Sequence, residues 1–219
     1  MTFNFDKVPL PNNWTIAIFC LILLLLTFQI TQYRKKIIIL GKSLFLQRYF
    51  SLMLRESKVI GEFFAFLLWL FSLFTYAFGV TILLERYYPA LVTKLTLIGC
   101  WSAAVVVLLS LYVIKLLCNK AYGALFEHEK EVSAMRLLKL AFLADSSALL
   151  LPIIAVVTFT HTFEWLYVFI PLFICLSIIW LFKLLKINPR KINLFHFFVY
   201  FCTLEILPYI VLMRLIASI

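Results

Sequence analysis

Six apolar runs, separated by short polar segments, constrain this chain more than any other feature. A helix rises about 1.5 Å per residue, so a run of roughly 20 residues crosses the ~30 Å hydrocarbon core of a bilayer. Hydrophobic residues make up 65% of the sequence, against roughly 45–50% in soluble domains. We therefore predict an all-α integral membrane protein, a six-span helix bundle in one domain covering 1–219. The predicted spans are 14–33, 63–84, 95–117, 140–160, 165–185 and 195–216.

The basic residues are distributed unevenly between the two sides of such a bundle. If the N-terminus is outside, the three cytoplasmic segments hold 16 of the 20 Lys and Arg residues. Loops rich in Lys and Arg stay on the cytoplasmic side of a membrane. This bias predicts that both termini lie on the non-cytoplasmic side. It also accounts for the net charge of +10 without nucleic acid as a partner.

A basic amphipathic segment follows the first predicted span. Over residues 44–58, one helical face carries Arg48, Arg55 and Lys58, and the opposite face is rich in Phe, Leu and Tyr. A helix of this kind lies in the membrane surface with its cations near anionic headgroups. We predict an interfacial helix on the cytoplasmic side that faces either lipid or a partner protein.

Small and weakly polar residues recur in predicted spans 2 and 3, where they predict close contact between helices. The residues are Ser72, Thr75, Gly79, Gly99, Ser102 and Ala103.

Two carboxylates lie inside the predicted spans, and both are in the second half of the chain. An ionised carboxylate at the centre of a span costs about 2.5–3.5 kcal/mol on insertion scales, so it needs a partner or must be neutral. Glu205 could hydrogen-bond Tyr209 one turn later. Asp145 is followed directly by Ser146 and Ser147, which could satisfy it together with headgroup water.

His196, near the start of span 6, is predicted to lie at a depth similar to that of Asp145, and Tyr200 follows His196 by one turn. His196 and Tyr200 form a candidate intramembrane polar site together with Glu205, Tyr209, Asp145, Ser146 and Ser147. Glu205 then has two interpretations. It either titrates on a proton-coupled path, or it ties helices together and meets the carbonyl groups freed by Pro208.

No P-loop, GxSxG, HExxH or paired-cysteine motif occurs in the sequence. We therefore expect no metal, no cofactor and no enzymatic activity. The leading hypothesis is a membrane subunit or scaffold that binds other cell-envelope membrane proteins or itself. The alternative is a small proton-coupled transporter that uses Glu205 and Asp145. A membrane-bound lipid enzyme is a third hypothesis, for which one Asp and one His are a weak basis.

Asn188-Pro189-Arg190 and the stretch L-F-H-F-F-V-Y-F-C-T-L-E-I-L-P, from Leu194 to Pro208, carry a family resemblance. Together with the basic segment after span 1, they resemble a family of multi-pass inner-membrane proteins of Bacteroidota that is defined as a domain of unknown function. The resemblance implies a bacterial inner membrane, with both termini in the periplasm. It implies no activity, cofactor or catalytic residue.

Overall fold

The computed structural model describes the backbone of residues 13–45, 62–126, 129–160, 168 and 171–179. The elements in this part of the chain are helices, which form because long apolar segments satisfy their backbone groups internally. They are α1 (Asn13–Phe45), α2 (Glu62–Tyr87), α3 (Pro89–Leu95), α4 (Leu97–Phe126), α5 (Glu129–Thr160) and α6 (171–179).

Four of these helices contain segments long and apolar enough to cross a membrane, and these segments overlap predicted spans 1 to 4, with the first extending ten residues beyond the predicted end. The segments are Asn13–Ser43, Phe63–Tyr87, Leu97–Leu117 and Lys139–Thr160. The predicted all-helical membrane class is therefore confirmed. The α6 helix lies within predicted span 5, while span 6 lies outside the described residues, as does the interfacial helix beyond Phe45. The six-span count and the interfacial helix stay predictions.

The α2 helix is the centre of the bundle. Its membrane-length segment is 61% buried, against 17% for the segment of α4. It runs in the same direction as α5, because Ser72 meets Ser147 and Gly79, seven residues later, lies against Leu150 and Ile154. A parallel pair of this kind requires an odd number of intervening crossings, which α4 supplies.

The α1 and α4 helices run antiparallel to α2, since later residues of each contact earlier residues of α2. The contacts are Gln29 with Leu67, Tyr33 with Phe64, Tyr112 with Trp69 and Trp101 with Phe74. The four helices thus alternate in direction along the chain, as successive membrane crossings do.

The α1 helix has a kink at Tyr33, where φ is −125° and ψ is 31°. The kink coincides with the predicted end of span 1, but the chain continues as a helix to Phe45. After the kink, Leu40 and Ser43 are buried while Lys35 and Lys42 are exposed. Residues 34–43 therefore have a buried and an exposed side, whereas the amphipathic face predicted over 44–58 stays a prediction.

The segment predicted as the second cytoplasmic loop is largely helical. The α4 helix continues from Leu117 to Phe126, and α5 begins at Glu129, ten residues before Lys139. Both helices are longer than the bilayer core requires, so their adjoining ends form a helical extension of the bundle.

Candidate functional site

A group of polar side chains lies at the contact of α2 and α5, next to two apolar clusters. One cluster includes Leu68 and Ala144, and the other includes Phe71 and Leu150. We call five residues at this contact the polar layer. They are Ser72, Tyr76, Asp145, Ser146 and Ser147. The layer is at the contact of two membrane-length helices, where water is scarce and each polar group needs a partner in the protein.

The first cross-helix contact in the polar layer joins two serines. Ser72 Oγ and Ser147 Oγ are 3.2 Å apart, and both residues are fully buried. Ser72 also reaches the Leu68 carbonyl at 2.8 Å, and Ser147 reaches the Ala144 carbonyl at 2.9 Å. Because each hydroxyl has one proton, only one serine can donate across the interface while the other donates to its own helix.

The second contact is a chain of hydrogen bonds that starts at a tyrosine. Tyr76 Oη on α2 donates to Ser146 Oγ at 2.6 Å, and Ser146 Oγ donates to the Phe142 carbonyl at 2.7 Å. The Leu143 carbonyl is also within reach at 3.1 Å. A donor chain of this type is cooperative, because each bond polarises the next. It links α2 to the backbone of α5.

Asp145 is buried in the polar layer, and the hydroxyl groups of the two serines that follow it make hydrogen bonds to other groups. The Ser146 and Ser147 hydroxyls bond carbonyl groups of their own helix and side chains of α2. Consecutive helical residues point about 100° apart, so Asp145 points about 100° away from Ser146 and about 160° away from Ser147. The structure therefore brings Ser146 and Ser147 to α2 and places Asp145 in the same layer at a different angle.

The remaining predicted site residues lie outside the described part of the chain. They are Glu205, Tyr209, His196 and Tyr200, and the basic residues Arg48, Arg55 and Lys58. The predicted proximity of Asp145 and His196, the partner of Glu205 and the basic face of the interfacial helix thus stay predictions.

The structure adds two residues that the prediction from sequence missed. Tyr76 is one turn after Ser72, so the two residues share a face of α2, and this spacing could have predicted a polar face there. Gln29 is 1% exposed, and its Nε2 donates to the Leu67 carbonyl at 2.9 Å, which ties α1 to α2. The sequence shows Gln29 as an amide side chain inside an apolar run, but it does not show that the Leu67 carbonyl is its partner.

The small residues predicted to allow close helix contact differ in burial between α2 and α4. Those of α2 are buried, and Gly79 packs on α5. On α4, by contrast, Ser102 and Ala103 are exposed. The prediction is therefore confirmed for α2. On α4, where Gly99 is half-buried, close contact with another helix stays a prediction.

The chemistry available to the polar layer is limited by the partners of its hydroxyls. A nucleophilic serine needs an adjacent general base. The described partners of Ser146 are a phenol that donates to it and backbone carbonyls, and Ser147 contacts Ser72 and a carbonyl. In the described part of the chain, no three His, Cys, Asp or Glu side chains are grouped to hold a metal. The arrangement can hold α2 and α5 in register.

These features define a class, that of helical membrane proteins with a buried polar contact between central helices. The family defined as a domain of unknown function, DUF4271, matches residues 15–216. The chain therefore belongs to the DUF4271 family, and the predicted resemblance to a family defined as a domain of unknown function is confirmed. No curated protein and no solved structure matches the chain.

Proposed function

We propose that this protein is a non-enzymatic multi-pass subunit or scaffold of a bacterial inner membrane, with both termini in the periplasm. Its role is to bind other cell-envelope membrane proteins or a second copy of itself. The observation that carries this proposal is the peripheral position of α4, whose membrane-length segment is 17% buried.

The α4 helix has one face against the bundle and one face that the described chain leaves open. Trp101 and Tyr112 contact the rings of Phe74 and Trp69 on α2, with centroid distances of 5.3 and 4.8 Å. On the outer face, Val106 is 62% exposed and Ile114 is 52% exposed. Small residues share that face, including the exposed Ser110. Small side chains let a second membrane helix approach closely, which supports a protein as the occupant of this face.

The polar layer supports the same proposal. Its hydroxyls are directed to each other and to carbonyl groups of the two helices that they join. Hydrogen bonds of this kind stabilise a bundle in the membrane. A fixed bundle with an open apolar face is suited to assembly with other membrane proteins.

Photo-crosslinking from α4 tests the proposal. We expect a photoreactive residue at Val106 or Ile114 to give an adduct with the same membrane protein, or with a second copy, in intact cells. Ala104 is the matched control on the buried side of α4, and it should give none. Leu24, which is exposed on α1, tests whether a photoreactive residue at any exposed position gives the same protein adduct. Lipid adducts alone from Val106 and Ile114 would contradict the proposal.

The transporter remains the second candidate because Asp145, a carboxyl group, is buried within a membrane-length helix. Asp145→Asn keeps the shape and hydrogen-bonding capacity but cannot ionise. For a subunit, we expect Asn to preserve the cellular phenotype and the melting temperature, and Asp145→Leu to cost about 0.6–2 kcal/mol of stability. Loss of the phenotype in Asp145→Asn, at normal abundance and stability, would favour a proton carrier. Glu205→Gln is the companion variant.

A further inference from the structure

The kink of α1 lies where this helix should leave the bilayer core. The stretch from Trp14 to Tyr33 spans roughly 30 Å at about 1.5 Å per residue, which equals the hydrocarbon thickness. Tyr33 has the non-helical backbone angles, and Arg34, Lys35 and Lys36 follow it directly. The change of direction and the first three cations therefore occur at the level of the lipid headgroups.

One of these cations fixes the segment after the kink to the bundle. Lys36 Nζ lies 5.3 Å from the ring centroid of Tyr33 and 5.5 Å from that of Phe64 on α2. The two rings are themselves 4.9 Å apart. A lysine over two aromatic faces is a cation–π contact. It sets the rotation of the helix that follows the kink.

That rotation gives the segment an inner and an outer face. Leu40 packs in a cluster with Phe64 and with Leu176 of α6. Arg34 and Lys35 are exposed on the outer side, and so is Ile38, at 44%. Lys42 is also exposed and follows Lys35 by two turns. We call Arg34, Lys35, Ile38 and Lys42 the basic face.

We propose that the basic face binds the phosphate group of an anionic phospholipid in the adjacent leaflet. This goes beyond the proposed function, because it assigns a lipid site that a scaffold does not require. Arg and Lys donate charge-assisted hydrogen bonds to phosphate oxygens, with Arg able to bond two at once. Ile38, between Lys35 and Lys42 on the same face, adds an exposed apolar side chain beside these cations.

Charge and position together favour lipid over an acidic protein segment. No Asp or Glu occurs anywhere in α1, so this helix supplies no acidic group to Arg34 or Lys35. An exposed apolar side chain among cations suits the boundary between headgroups and acyl chains. A soluble acidic segment would meet the cations but would leave Ile38 in water.

Native mass spectrometry of the full chain tests this site. The protein is transferred from nanodiscs of equimolar phosphatidylcholine and phosphatidylglycerol, and the affinity for the first retained phosphatidylglycerol is measured. Each cation near an anionic surface contributes about fivefold in affinity, so Arg34→Gln with Lys35→Gln should weaken binding by about 30-fold. Arg34→Lys with Lys35→Arg keeps both charges and should stay within a few-fold of wild type.

The matched control removes the same two residue types from the last turn of α2 and from α3, at the opposite end of the bundle. Arg86 and Lys94 are both exposed, and Arg86→Gln with Lys94→Gln should leave the first phosphatidylglycerol bound as in wild type. The melting temperature verifies that each variant is folded, and the single variant Lys35→Gln replaces the double variant if the latter does not fold. Unchanged phosphatidylglycerol affinity without Arg34 and Lys35, or equal loss in the control, would overturn the proposal.

Discussion

Gly79→Leu should lower the free energy of unfolding by about 1–3 kcal/mol, the range for forcing extra carbon atoms into a packed interior. A Cβ atom at Gly79 would already lie 3.5 Å from Ile154 Cδ1 and 3.5 Å from Leu150 Cδ2. That distance is ordinary contact for one methyl group, and it leaves no space for an isobutyl group. The α2 and α5 helices must separate to admit leucine, and the polar layer one to two turns away would open with them.

Gly79→Ala is expected to have the opposite sign. Its methyl group fills the available space, and alanine is more favourable than glycine in a helix by about 0.8–1 kcal/mol. Gly41 provides the control, because a Cβ there has no atom within 4 Å, so Gly41→Leu should be tolerated. Unfolding in detergent, followed by tryptophan fluorescence, measures all three variants. A Gly79→Leu protein as stable as wild type would show that α2 and α5 do not approach closely.

The second large effect is expected at the bond from Tyr76 to Ser146. A double-mutant cycle with Tyr76→Phe and Ser146→Ala should give a coupling energy of about 0.6 kcal/mol, and at most about 1.7, as for other polar contacts between membrane helices. The reason is that the 2.6 Å bond joins two membrane-length helices. Loss of either side chain leaves the polar atom of the other with a weaker hydrogen-bond partner.

Thr27 supplies the matched hydroxyl control for this cycle. It is exposed, and its hydroxyl bonds the Leu23 and Leu24 carbonyls of its own helix, at 2.8 and 2.9 Å. Tyr76→Phe combined with Thr27→Val should therefore be additive within about 0.5 kcal/mol. Additivity of Tyr76→Phe and Ser146→Ala, with the control also additive, would contradict a structural role for the polar layer.

The candidate site was predictable in part. Asp145, Ser146 and Ser147 stand out in the sequence because ionisable and hydroxyl groups are unusual inside an apolar run. Their partners on α2 do not stand out, because the sequence does not show whether a serine or tyrosine in a membrane helix faces lipid, a neighbouring helix or the backbone of its own helix. The exposed Thr27 and the buried Ser72 each bond a carbonyl of their own helix, and only Ser72 also meets another helix.

The sequence by itself determined the helical membrane class and the approximate positions of the four apolar segments that the structure describes as helices. Each of these depends on local quantities, namely the length of an apolar run against the bilayer thickness and the position of the first charges after it. Tertiary structure alone decided that α2 is central, that Tyr76 reaches Ser146 and that Gln29 reaches the Leu67 carbonyl. Those contacts depend on how each helix is rotated and which helix lies beside it. In a bilayer, both are set by close packing of side chains, because lipid satisfies apolar surface as well as protein does.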